Sequence, residues 1–227
     1  MSASASHDAL RTLRPTNTGP FLAWPGWPQL RYAWAVSLLN AAWFVLVYGG
    51  CDALTTHRTS RVPVHFAAES RIPFVPGMVA VYMSIYVLFL VGPFILRTRD
   101  EFRALIVTLA VVILFGGIGF LIIPARLAFA PPSHDALGVW AGLFHLADRL
   151  NLTYNLVPSL HVALANVCVA AFSRHATGMG TVLLWTWAAA IAASTLLTHQ
   201  HHVVDVVTGW LLGSLAVKLA PAPVDSR

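Results

Sequence analysis

Residues 104–123, ALIVTLAVVILFGGIGFLII, decide the fold: twenty consecutive positions carry no charge. A helix rises about 1.5 Å per residue, so about 20 residues cross the ~30 Å hydrocarbon layer of a bilayer. In lipid every backbone N–H and C=O needs a partner inside the protein, which leaves helices or closed barrels. The run is too long for a barrel strand and lacks period-two alternation, so it reads as a membrane-spanning helix. Five further apolar stretches follow the same logic, at 32–50, 75–96, 158–172, 181–197 and 203–219. The expected fold is an all-α integral membrane bundle of six transmembrane helices.

Composition supports this reading. Of 227 residues, 57% are hydrophobic and 10% charged, against about 25% charged in a soluble domain. That excludes a soluble enzyme, a disordered chain and a nucleic-acid-binding domain. The net charge of +5 belongs to basic residues standing singly at span ends, where they meet lipid headgroups. Cys51 and Cys168 lie far apart, and the second falls in an apolar run, so no disulfide framework is expected. The chain divides into an N-terminal tail over 1–30 with an interfacial Trp/Pro segment (Trp24, Trp27), a six-helix domain over 31–220 and a C-terminal tail over 221–227.

Sidedness follows from the basic residues. Arg11, Arg14, Arg31, Arg97, Arg99, Arg103, Arg174, Lys218 and Arg227 would share one side, and Arg58, Arg61, Arg71, Arg126 and Arg149 the other. The positive-inside rule then puts both termini in the cytoplasm. Eight of the ten histidines fall on or beside the opposite, extracytoplasmic side. In the longer outer loop, residues 135–151 space Leu137, Trp140, Leu143, Phe144 and Leu150 at helical intervals. They read as a short interfacial helix or as a lid over other spans. The charged residues of the first outer loop, His57, Arg58, Arg61, His65, Glu69 and Arg71, read as a solvated surface.

Two polar segments stand out. Pro158-Ser159-Leu160-His161 opens the fourth span, and Ser194 through Asp205 links the fifth to the sixth. Both spans start on the same side. Pro158 suits a first helical turn, and His201 and Asp205, four apart, are expected to stack at the start of the sixth span. Two helix N-termini with free N–H groups would form an anion site, for which phosphate is a common occupant. Asp205 can hold one ring nitrogen of His201 and leave the other for nucleophilic attack. His161 can serve as acid and base near neutrality, although an intramembrane histidine can equally be satisfied by a carbonyl. His199 and His202 read as interface or loop residues. A His/Asp set of this kind could also ligate zinc, but its spacing is not a zinc signature.

The pairing of Pro-Ser-x-His with Ser-x6-His-x3-Asp resembles the type 2 phosphatidic acid phosphatase superfamily of membrane enzymes. The wording PSLH and THQHHVVDVVTG, with IPFVPGMVAVYMSIY at 72–86, is similar to the branch containing inositol phosphorylceramide synthases. The resemblance implies a membrane lipid phosphate phosphatase that needs no metal or other cofactor. His201 would be the nucleophile that forms a phosphohistidine, Asp205 its orienting partner, His161 the acid–base and Ser159 a phosphate donor. Ser194, which opens the third motif, would be a further phosphate-binding residue. The usual arginine after it is replaced by Thr195, so Arg126 is the expected substitute cation. The partner would be a lipid phosphate or phosphodiester in the bilayer. Transfer to an alcohol acceptor uses the same residues. A non-enzymatic transporter with a histidine relay would need polar groups spread through several spans.

Overall fold

The structure is a computed structural model that describes residues 20–152 and 154–220. Helix accounts for 72% and strand for 2%, so helix ends and loops have to carry any site. The readings of the tails at 1–19 and 221–227 lie outside the described residues.

Helix α1 (Trp27–Thr56) outruns the expected span 32–50 at both ends. Pro28 fits its first turn, and in the last turn Thr55 and Thr56 donate to the Cys51 and Asp52 carbonyls at 2.9 and 2.7 Å. Trp24, Trp27 and Trp34 are exposed around its start. Helices α2 (Met78–Met83) and α3 (Ile85–Ile95) form one apolar rod broken at Ser84. Ser84 Oγ donates to the Val81 carbonyl (2.6 Å) and accepts from the indole of Trp187 (2.8 Å), so the break is also a tie point. Helix α4 (Arg99–Ile122) contains the uncharged run. It starts at a capping box in which Thr98 Oγ1 accepts from the Glu101 N–H and Glu101 accepts from the Thr98 N–H, both at 3.1 Å.

The loops that follow α1 and α4 meet in a parallel bridge between β1 (Val62–Pro63) and β2 (Ala125–Arg126). Beyond it lie α5 (His134–Leu137), a 3₁₀ turn (Gly138–Trp140) and α6 (Ala141–Leu150). Leu137, Phe144 and Ala147 are buried against Val79 and Tyr82 of α2. The amphipathic stretch is therefore a lid packed on the bundle, with its apolar stripe turned inward.

Helix α7 (Leu160–Ser173) is the centre, with α3, α4, α8 (Met179–Leu197) and α9 (Val203–Leu219) around it. It is apolar on every face because it is enclosed: ten of its 14 residues are buried. Contact with α9 is closest at two glycines. A Cβ on Gly209 would stand 2.3 Å from the Ser159 carbonyl oxygen, and one on Gly213 2.7 Å from that of Ala163. Helices in lipid gain little from hydrophobic burial against one another, so close backbone approach through small residues holds them together. Beside these glycines Asn166 Nδ2 donates to Ser214 Oγ at 3.1 Å.

Among the described residues four helices are long and apolar enough to cross a bilayer: Trp27–Thr56, Met78–Ile95, Arg99–Ile122 and Met179–Leu197. Helices α7 and α9, of 14 and 17 residues, are shorter.

Candidate functional site

The two motifs meet where α7 and α9 begin. Ser159 is the N-cap of α7, and its Oγ accepts from the Val162 N–H at 3.4 Å. Pro158 thus precedes the cap rather than sitting in the first turn. The Ser159 N–H donates to the Asp205 carbonyl at 2.9 Å, a direct bond from one motif to the other. Helix α8 ends in a wrap in which the Thr195 carbonyl accepts from the N–H groups of both Gln200 and His201, and His199 takes a left-handed φ of 56°.

His201 lies in the approach to α9, one residue ahead of its N-cap His202. Its Nδ1 is 3.2 Å from Asp205 Oδ2, which also accepts from the His202 N–H at 2.8 Å. Asp205 is fully buried, and its Oδ1 has no partner among the described residues. A carboxylate on Nδ1 makes that nitrogen the donor and leaves the Nε2 lone pair. His161 donates from Nε2 to the Tyr82 carbonyl (2.7 Å) and stacks on the Tyr82 ring at 3.8 Å, so Nδ1 is the nitrogen left to gain or lose a proton. One ring nitrogen of His161 is thus satisfied by a carbonyl.

Glu69, from the first outer loop, completes the cluster. It is 4% exposed, on a 3₁₀ turn (Ala67–Arg71). Its Oε1 accepts from the Phe66 N–H at 2.9 Å, and its Oε2 meets His202 Nδ1 at 2.7 Å and the Val203 N–H at 3.4 Å. Burial alone would raise the Glu69 carboxyl, but these donors and the His202 ring outweigh it and hold it below the ordinary carboxylate value. His202, itself fully buried, accepts at Nε2 from the Ala128 N–H at 3.0 Å. His199 donates to the Ile72 carbonyl at 3.0 Å and stacks on Phe129 at 4.0 Å.

His201 opens onto a cavity of about 270 Å³ beneath the lid. Its walls include Phe129, Pro131, Pro132 and Phe144, with Tyr48, Asp148, Asn151, Asn155 and Gln200 as the polar part. Gln200 Nε2 donates to Asp148 Oδ1 at 2.9 Å, Asn151 to Gln200 Oε1 at 3.3 Å, and the Tyr82 hydroxyl to Asn151 Oδ1 at 2.9 Å. This chain ties the lid to the turn that presents His201. Among the described residues no Lys or Arg lines the cavity.

A family model described as the PAP2 superfamily matches residues 65–219. The chain belongs to the PAP2 superfamily. The match takes in Glu69, both motifs and the lid, and leaves α1 outside. No curated protein and no solved structure matches the chain. Membership makes this a membrane protein with a phosphatase-type function and fits it to a lipid phosphate substrate.

Within this PAP2 fold several expectations need correction. Two of the N–H groups at the α9 terminus are already taken, that of His202 by Asp205 and that of Val203 by Glu69. Ser194 is not brought to the cavity: it is fully buried and its hydroxyl donates to Ile191 of its own helix at 2.7 Å. Arg126 is exposed on β2 and does not line the cavity. His202, in the link ahead of α9, is not exposed but is the buried N-cap of that helix and a partner of Glu69. The first outer loop is only partly a solvated surface, since Glu69 is buried and Arg61 lies 3.4 Å over the Tyr154 ring while donating to the Thr55 carbonyl. Among the described residues, no group of three or more His, Cys, Asp or Glu is placed to hold a metal ion.

Proposed function

We propose that this chain is a six-span membrane lipid-phosphate phosphatase working through a phosphohistidine on His201. The observation that carries the reading is the bond from His201 Nδ1 to buried Asp205 on a ring that opens onto the cavity. Nε2 of His201 attacks phosphorus, the bond from phosphorus to the lipid oxygen breaks, and the leaving oxygen takes a proton from Nδ1 of doubly protonated His161. Water then attacks the phosphohistidine, giving its proton back to His161 Nδ1, and inorganic phosphate leaves. Asp205 stabilises the His201 ring as positive charge develops on it. With no cation lining the cavity, the N-terminal end of α7 capped by Ser159 is the element suited to the transferring group, and Arg126 is kept only as a contact for a headgroup at the surface. The gathering of Arg97, Arg99, Arg103, Arg174 and Lys218 at the helix ends opposite His201 supports cytoplasmic termini and an extracytoplasmic site.

A second reading, transfer of the phosphoryl or headgroup to an alcohol acceptor, is favoured by the Asp148–Gln200–Asn151 chain beside His201. Carboxylate and amide groups of this kind suit hydroxyls better than phosphate. It also agrees with motif wording similar to the inositol phosphorylceramide synthase branch.

Purified protein in detergent, given a panel of ³²P-labelled lipid phosphates and phosphodiesters with EDTA present and polyol acceptors available, tests both. We expect free phosphate, an acid-labile labelled intermediate and loss of both in His201→Ala. Label moving to a polyol establishes the second reading. Absence of turnover with every lipid overturns the proposal.

A further inference from the structure

We infer that Glu69 is a positioning residue for the phosphoryl transfer, acting on His201 through the tautomer and placement of His202. The role rests on the reading of His201 as the nucleophile; the tautomer assignment does not. Nothing in the composition of the first outer loop separates Glu69 from its charged neighbours, yet it alone among them is buried, and against a fully buried histidine. A carboxylate taken out of water costs several kcal/mol unless its oxygens are satisfied, and here both are, by Phe66, His202 and Val203.

The geometry fixes the protons. A backbone N–H can only donate, so the 3.0 Å contact from Ala128 makes His202 Nε2 an acceptor. Nδ1 must then hold the ring proton and donate it to Glu69 Oε2 at 2.7 Å. Both ring nitrogens are thereby used, which removes His202 from contact with substrate and makes it a strut. The strut joins three segments distant in sequence: the first outer loop through Glu69, the second through Ala128, and the start of α9. Phe129 and His65 flank the ring at centroid distances of 4.9 and 5.4 Å.

His202 is joined to His201 by one peptide bond, and its own N–H shares Asp205 Oδ2 with the His201 ring. Release of His202 from Glu69 therefore shifts both the backbone that presents His201 and the oxygen that orients it. A misplacement of about 1 Å costs on the order of 100-fold in rate. The effect falls on the chemical step, because neither Glu69 nor His202 lines the cavity.

The test uses the full-length chain in detergent with the labelled lipid phosphate that it turns over. Glu69→Ala should lower kcat about 10- to 100-fold while KM stays within about threefold. Glu69→Gln should recover most of the loss, since an amide oxygen still accepts from Nδ1. Independently of activity, ¹⁵N spectra of histidine-labelled protein should show His202, assigned by its disappearance in His202→Asn, protonated at Nδ1 and unprotonated at Nε2. The inference is overturned by wild-type kcat in Glu69→Ala, by a folded Glu69→Gln as slow as Glu69→Ala, or by an Nε2–H tautomer at His202. A wild-type chain with no turnover overturns the function reading and the catalytic role together, whereas the spectrum decides the Glu69–His202 strut by itself.

Discussion

Gly209→Ala is the sharpest test of how α7 and α9 assemble the site. The added methyl would stand 2.3 Å from the Ser159 carbonyl oxygen, 3.1 Å from its carbonyl carbon and 3.2 Å from its Cβ. Two of these are backbone atoms, so no rotamer change relieves the contact. A C···O approach settles near 3.3–3.6 Å, and the helices must therefore separate by about 1 Å. The Ser159 N–H to Asp205 C=O bond, now 2.9 Å, lies at the same crossing and is stretched out of range. Overpacking of this kind costs about 1–3 kcal/mol and the lost bond about 1 kcal/mol, against at most about 1 kcal/mol gained from alanine's helix propensity. The net loss is about 1–3 kcal/mol. The same ~1 Å displacement separates His161 from His201 and lowers turnover by about 100-fold. Thermal unfolding in detergent and ³²P release from the substrate lipid measure the two effects. Gly142→Ala, where an added methyl has no neighbour within 4 Å, is the control. Gly209→Ala that keeps both turnover within twofold and wild-type stability refutes the account of the crossing.

Asp205→Asn should leave the fold intact but lower kcat by about 10³- to 10⁴-fold, as in other sites where an amide replaces the carboxylate that selects a histidine tautomer; activity within tenfold of wild type would remove Asp205 from its orienting role. Glu69, with its carboxyl held below the ordinary value, contributes stability that is full above the usual carboxylate range and is lost as pH falls through its lowered value. The difference in unfolding temperature between wild type and Glu69→Gln should thus be constant from pH 7 to about pH 5 and shrink below about pH 4; a difference that grows on acidification would contradict the sign.

The sequence reading succeeded where one physical rule governs a whole segment. Apolar runs marked where the helices lie, though α1 and α4 start about five residues earlier than expected, because lipid leaves a backbone no alternative to helix, and the period of Leu137, Phe144 and their neighbours marked an amphipathic helix without deciding between interface and lid. It failed where a group's partner lies far along the chain. Glu69 carries no local sign that it will be buried, since its partner His202 is 133 positions away. Ser194 looked like a phosphate ligand because of its place in a motif, but a hydroxyl inside a helix finds its own backbone first. The free N–H groups expected at α9 follow from helix geometry alone, and carboxylates take two of them, those of His202 and Val203.

The shortness of α7 has a consequence for where substrate must travel. Fourteen residues rise about 21 Å, roughly 9 Å less than the hydrocarbon layer. Arg174 closes its far end and favours the headgroup level there, so the shortfall falls on the end that bears Ser159 and His161. If His201 is the nucleophile proposed above, the reacting phosphorus would be met several ångströms beneath the plane of the surrounding phosphates. A lipid would have to sink, not rise, to react, and a thicker bilayer would drown the site deeper in oil. On the proposed function, membrane thickness would act on turnover without any ligand.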